Sequence, residues 1–401
     1  MAELLARFGK RDVRLLERVL APSAAHARPD RVVLDAHVAG SEPAVAELTR
    51  RGGVPLLVDP QTYYFQDVQY EAARWAQLPF ADPAAHRPSD LLSPARQTEL
   101  VAACIDWQLS CGATALIPPY MHVERHDDGW LEVQIGLWRR TRRYLDAQDL
   151  ALPVVAVTAV GWRLLPRNRW GAGLDRLRDG LDDLEVDEIA LAASKADQGA
   201  HPDQRLVDFV AAIDHLRRVA PVLAWRQGAL GEAAVAGGAV GYETGIGWRE
   251  RCDLRQAMGA HRRPAPVDAG FGARPVYIAA LGRSIPKRSL EALLETRLSP
   301  HLLCDDYQCC SAGPRSLLAD ARAHGLATRA RNLDALDQIA QHAWRWRRLA
   351  DTTNDGLDLA NRINRLADTH PRITKVDTHA LRAVQVVANN RRQTLRRGRA
   401  A

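Results

Sequence analysis

Val54-Pro55-Leu56-Leu57-Val58-Asp59-Pro60 is an apolar run of strand length that stops on an acid and a proline. Proline cannot extend the ladder, so the strand ends there and the Asp59 carboxylate is left at the strand's exit. Ala239-Val240-Gly241-Tyr242-Glu243 repeats the arrangement late in the chain. Working outward from these two, short apolar runs recur at 31–38, 54–59, 113–118, 153–160, 188–193, 221–225, 234–242 and 275–281. Most are continuous rather than alternating, the pattern of strands covered on both faces. Amphipathic stretches separate them. Between 203 and 219, Leu206, Phe209, Val210, Ile213 and Leu216 recur at helical spacing with Asp and Arg opposite. Eight strands alternating with helices predict an α/β fold, a (β/α)8 TIM-like barrel over residues 1–299; a doubly wound open sheet is the alternative. In such a barrel the chemistry sits where strands run out into loops, so acids at strand exits are read as reactive groups.

Beyond the barrel the pattern changes. Residues 300–401 read as a cysteine-containing segment and a basic helical extension, with helices expected at 314–324, 333–349, 358–367 and 378–392. The 401 residues, 47% hydrophobic, suffice for a barrel of roughly 250 residues plus an appendage. No apolar run approaches the roughly 20 residues that span a membrane, and no leader pattern stands at the N-terminus, so the cytoplasm is the expected location. Six cysteines are too few for a disulfide framework. Net charge is +6, but residues 341–401 hold 13 Arg or Lys against 5 Asp. A basic tail on a near-neutral body points to a polyanionic partner or to an ordinary solvated helix face.

Three groups of residues carry candidate chemistry. At the exit of 54–59, Asp59, Gln61, Tyr63 and Gln66 combine a carboxylate, amides and an aromatic face, a set suited to a planar heterocycle. At the exit of 234–242, glycines flank Glu243; Gly245 and Gly247 are expected to open the next helix and cradle an anion, with Gly282 and Arg283 adding to a phosphate site. Lys195, one of four lysines, ends the 188–193 strand and is read as a Schiff-base lysine, a phosphate partner or an ordinary salt-bridge partner. In the third group, Cys304, Cys309 and Cys310 form C-x4-C-C, and with His324 or His301 as the fourth they offer the soft or imidazole ligands that zinc takes; reduced structural thiols are the alternative.

Two of these segments resemble those of the tRNA-guanine transglycosylases. The stretch from Val54 through Asp59-Pro60-Gln61-Thr62-Tyr63-Tyr64-Phe65-Gln66 is similar to the family's Asp-containing segment ending in Phe-Gln. Cys304-Asp305-Asp306-Tyr307-Gln308-Cys309-Cys310, with Arg331-Asn332-Leu333 downstream, looks like a degraded form of its C-x-C-x-x-C…His-Asn-Leu zinc segment. Asp306 replaces the middle cysteine and Arg331 the histidine; Cys310 and His324 stand as substitutes. The resemblance implies a (β/α)8 pentosyltransferase that exchanges or cleaves a guanine or 7-deazaguanine base at an N-glycosidic bond in tRNA or DNA, the queuosine type of chemistry. It implies one structural zinc, no organic cofactor, and a homodimer as the assembly. Asp59 matches the family's earlier aspartate, and Glu243, or Asp305, takes the nucleophile's place. Competing readings are a barrel enzyme for a small phosphorylated metabolite, supported equally by the glycines, and a non-catalytic nucleic-acid-binding barrel.

Overall fold

The computed structural model describes residues 1–67, 77–82, 84–247, 249–260 and 274–397. Outside this set lie residues 68–76, 83, 248 and 261–273 and the last residues of the basic tail.

Seven strands form one parallel sheet: β1 (Glu3–Phe8), β2 (Arg31–Asp35), β3 (Leu56–Asp59), β4 (Val155–Gly161), β5 (Glu188–Ser194), β6 (Val222–Ala224) and β7 (Gly241–Gly245). Their order is β3-β2-β1-β7-β6-β5-β4. The gap between β3 and β4 is spanned by a short extended segment, through parallel bridges Leu57 to Ala115 and Leu116 to Val154. That segment is the fourth stave of an eight-membered ring, so β6 and β7 are the seventh and eighth staves. The fold is therefore a TIM-like α/β barrel followed by C-terminal helices. Its staves are buried along their length, β4 at every residue, which explains why they read as continuous apolar runs.

The ring differs from the sequence expectation at its two ends. The first stave, β1, was not expected, because Arg7 interrupts its apolar run. The run at 275–281 is not a stave: β8 (Val276–Ile278) pairs antiparallel with β9 (Arg283–Ile285) in a separate hairpin. The run at 234–242 begins inside a helix, Gly231–Ala236, and becomes strand only at Gly241. Likewise 31–38 leaves the sheet at Asp35 for a helix, Ala36–Ser41.

Helices cover the ring as their patterns require. Pro202–Leu216 starts on a proline, whose missing N–H costs nothing in the first turn, and buries Leu206, Phe209, Ile213 and Leu216. The C-terminal helices are Ala321–Asp337, His342–Ala367 and His379–Arg397. Leu326, Leu333, Trp346, Leu349 and Ala383 on them belong to the barrel's own core cluster. A second, smaller core begins at Val276 and joins the hairpin to Leu317, Leu357, Ile363 and Ile373.

Candidate functional site

Asp59 and Glu243, far apart in sequence, converge near the carboxyl ends of their staves, and Arg7 of β1 joins them. Its guanidinium spreads three ways: Nε donates to Glu243 Oε1 at 2.9 Å, Nη2 lies 2.9 Å from Asp59 Oδ2, and Nη1 donates to Asp35. Register brings this about, since Asp35 and Asp59 are direct neighbours across β2 and β3. Burial alone would raise Asp35, but Arg249 and Arg7 outweigh it and hold its carboxyl well below the usual range. Tyr120 donates its hydroxyl to Asp59 Oδ1 at 2.8 Å, and the Arg226 backbone N–H donates to Glu243 Oε2 at 2.9 Å. Both acids are 0% exposed. They are brought together, and each is held in a buried ion pair.

The neighbours expected to read a base are occupied similarly. Gln61, at φ 51°, donates from Nε2 to Asp35 at 2.8 Å and is itself buried. Tyr63 is buried, its hydroxyl accepting from Arg226 Nη1 at 2.6 Å, while Tyr64 stacks on it at 4.5 Å. Gln66 clasps the backbone of His122, accepting its N–H at 2.6 Å and donating to its carbonyl at 3.0 Å. Burial, then Arg255 and Lys195 nearby, push the His122 imidazole down to about 3; Glu124, 3.5 Å from its Nε2, is also engaged by Arg163 at 3.0 Å. Lys195 is partly exposed at φ 63°, with Asp253 3.7 Å from its Nζ.

Above this layer lies a cavity of about 1220 Å³, enclosed by the barrel mouth, the β8–β9 hairpin and the C-terminal helices. Tyr64, Arg226, Gly247, Arg249, Gly282 and Arg283 line it; Asp59, Gln61, Tyr63 and Glu243 do not. Gly245 lies within β7, and Gly247, at φ 75°, makes a turn rather than opening a helix. The next helix, Leu254–Ala260, starts seven residues further on, so the expected glycine cradle at a helix N-terminus is absent. Gly282, at φ 58°, is the turn of the hairpin and puts Arg283 on the cavity wall.

The cations here are unevenly matched. Arg251 and Arg283 share Asp377, which Arg251 also supplements with Asp197. Burial, and then Arg251 alongside, push the Arg283 guanidinium below its ordinary value. Arg226 is 5% exposed, and its Nε and Nη2 find no hydrogen-bond partner among the described residues. Arg226 thus lines the cavity as a buried cation with unmatched donors, a charge that an anion in the cavity would help to compensate.

Cys304, Cys309, Cys310 and His324 also come together, their ligand atoms all within 4.8 Å of one another. His324 Nδ1 lies 3.3 Å from Cys309 Sγ and 3.5 Å from Cys310 Sγ, while Nε2 sits 2.9 Å from the Tyr277 carbonyl oxygen. A carbonyl only accepts, so Nε2 carries the proton and Nδ1 turns its lone pair to the thiols. This is the outer-sphere arrangement that orients a metal-binding imidazole. Contact with Cys310, then burial, raises the Cys309 thiol, and burial raises that of Cys304. The donor set fits zinc: three soft sulfurs and one imidazole, closely gathered.

Sequence reading missed Arg7, Asp35, Arg226 and Arg249. Arg226 carried a usable signal, since Trp225-Arg226-Gln227-Gly228 pairs a cation with a glycine at a strand exit, as Gly282-Arg283 does. Arg7 and Asp35 carried none, because their meaning lies in a register that only the closed ring creates.

No protein-family profile matches the chain, and no curated protein does. Solved structures similar to it include thiamine phosphate pyrophosphorylase from Pyrococcus furiosus, 10% identical, with a TM-score of 0.32 over 65% of this chain and 94% of that one. An HpcH/HpaI aldolase from Desulfitobacterium hafniense is 11% identical, with a TM-score of 0.33 over 65% and 90%. The (S)-3-O-geranylgeranylglyceryl phosphate synthase from Thermoplasma acidophilum is 12% identical, with a TM-score of 0.31 over 64% and 88%. Likeness at this level carries no functional argument.

Proposed function

We propose that this chain is a barrel enzyme whose mouth binds the phosphate of a small phosphorylated metabolite. The observation that carries the reading is Arg226, buried at the cavity wall with two guanidinium nitrogens unmatched. It follows the seventh stave, and Gly247 and Arg249 follow the eighth, the two exits that commonly hold phosphate in barrels of this kind. Arg251 and Arg283 line the same cavity, both in reach of Asp377. A planar guanidinium suits a phosphate's oxygens better than an ammonium would.

One observation favours a second reading, in which the bound phosphate belongs to a nucleic acid and the chemistry is base exchange. Asp59 and Glu243 both reach Arg7 below the cavity, which gathers the two acids that a glycosidic mechanism would use. Substrate would have to draw them away from Arg7.

Calorimetric titration with inorganic phosphate, glycerol phosphate, and short RNA and DNA oligonucleotides tests both. The first reading expects saturable binding of the small phosphates, weakened at least about tenfold in Arg226→Ala, the loss of one charge-assisted contact. Binding of oligonucleotides alone, with release of labelled guanine that Asp59→Asn abolishes, would favour the second. No binding of any phosphate ester sinks the first.

The same proposal assigns Cys304, Cys309, Cys310 and His324 to one structural zinc.

A further inference from the structure

We propose that the Cys304–Cys309–Cys310–His324 cluster is a Zn(II)-dependent positioning element of the ligand cavity, not a remote staple. The inference rests on the zinc assignment and, for one of its two readouts, on the phosphate reading.

Two routes join the cluster to the cavity wall. The first runs through the histidine. His324 Nε2 donates to the Tyr277 carbonyl at 2.9 Å, and Tyr277 lines the cavity. The Arg329 guanidinium stacks on the Tyr277 ring at 4.0 Å and pairs with Glu250 at 2.9 Å. Glu250 in turn accepts from Ser284 Oγ at 2.6 Å and Ser284 N at 3.2 Å, beside Arg283. Fixing the imidazole therefore fixes the hairpin strand that carries Tyr277, and with it the Arg283 side of the wall.

The second route runs through the loop between the cysteines. Asp305 and Asp306 lie between Cys304 and Cys309 and approach Arg331 Nη1 at 3.4 and 3.3 Å. All three line the cavity. Asp306 also organises the loop, its Oδ1 accepting from Gln308 N at 2.9 Å and its carbonyl accepting from Cys310 N at 2.8 Å. Asp305 is 94% exposed at its side chain, so its place against Arg331 depends on the geometry of the loop that carries it. A metal that ties Cys304 to Cys309, Cys310 and His324 closes this loop at both ends and holds both acids in place. Three thiol protons pass to the buffer when the metal binds, and no oxidation is involved. With Zn(II) bound, the wall is set before the ligand arrives; without it, ordering the wall is a cost the ligand must meet.

The test uses the full chain, stripped with a chelator and reloaded with Zn(II) against a chromophoric competitor. Hydrogen exchange is followed over residues 276–285 and 329–332, and inorganic phosphate is titrated in both states. Expected are one Zn(II) per chain, slower exchange in both segments on loading, and phosphate binding about tenfold weaker in the stripped protein. Cys309→Ser should abolish the exchange effect. Because loss of a thiol can unfold the region, Asp305→Asn with Asp306→Asn serves as a second variant. It keeps every ligand, so Zn(II) uptake should persist while slowing at 329–332 disappears. Absence of stoichiometric Zn(II) overturns the proposal, as does Zn(II) uptake that leaves exchange in both segments unchanged. Should phosphate fail to bind in either state, the proposed function falls, and the exchange data still decide this inference.

Discussion

Arg7 touches three carboxylates from three different staves, and each of its nitrogens lies against a different one. Burial alone would lower it, but Glu243, Asp59 and Asp35 outweigh that and hold the guanidinium charged far above its ordinary range. Removing one partner from a buried ionic cluster leaves uncompensated charge, at about 3–5 kcal/mol. Arg7→Ala should cost that much in urea unfolding at neutral pH. Arg7→Lys should recover little of it, because an ammonium is a point charge and cannot match three directions at once. Loss below about 1 kcal/mol in Arg7→Ala, the scale of an exposed pair, would show that the cluster does not hold the barrel mouth together. This residue also marks where sequence reading stopped. A charged side chain inside ELLARF argues against a buried strand, and only the closed ring supplies the three acids that make burial affordable. Asp59 was legible as a strand-end acid for the opposite reason, since it punctuates an apolar run; Glu243 also follows an apolar run, but it lies inside β7 rather than at its end.

At the scale of elements, the staves that read clearly are those whose burial is uniform. The segment at 113–118 was legible although it contributes only isolated bridges, because its apolar run needed no partner to be recognised. The hairpin of β8 and β9 was misassigned by the same logic, since a short apolar run does not tell which core receives it: its strand Val276–Ile278 packs in the smaller core. The cysteine cluster was legible from spacing and residue type, as a local loop plus one helix turn can gather all four ligands. The ring's closure depends on a close approach that spacing cannot reveal. β1 and β7 pair with Glu3 against Gly241, and a Cβ at Gly241 would lie 2.4 Å from the Glu3 carbonyl oxygen. Backbone stands on both sides of that contact, so neither can move without opening the seam. Gly241→Ala should therefore destabilise by about 1–3 kcal/mol, the cost of overpacking. Gly171→Ala, where an added methyl meets nothing within 4 Å, is the control and should stay within about 0.5 kcal/mol of the parent. Equal midpoints for the two variants in denaturant would refute the close-seam account.

Over the whole molecule, the C-terminal helices do not stand apart from the barrel. Helix Ala321–Asp337 packs directly on β1, and Trp346, Leu349 and Ala350 on helix His342–Ala367 enter the barrel's core. That same long helix sends Leu357, Leu359 and Ile363 into the smaller core, so one rigid element is shared by both. The cavity lies where these meet, with walls from the barrel, the hairpin and the helices at once. Its shape thus depends on both cores being in place, and the shared helix is what would make them unfold together. Trp346 tests this: it is fully buried at the junction, with the Arg391 guanidinium 5.0 Å from its ring centre. Truncation of a buried tryptophan removes about 3–5 kcal/mol through lost transfer energy and the cavity left behind. If the cores are coupled through this helix, Trp346→Ala should lower a single calorimetric transition and speed hydrogen exchange in β1 as well as in the helix. Two separated transitions, with exchange in β1 unchanged, would mean that the helices unfold on their own and that the barrel does not need them to hold the cavity's floor.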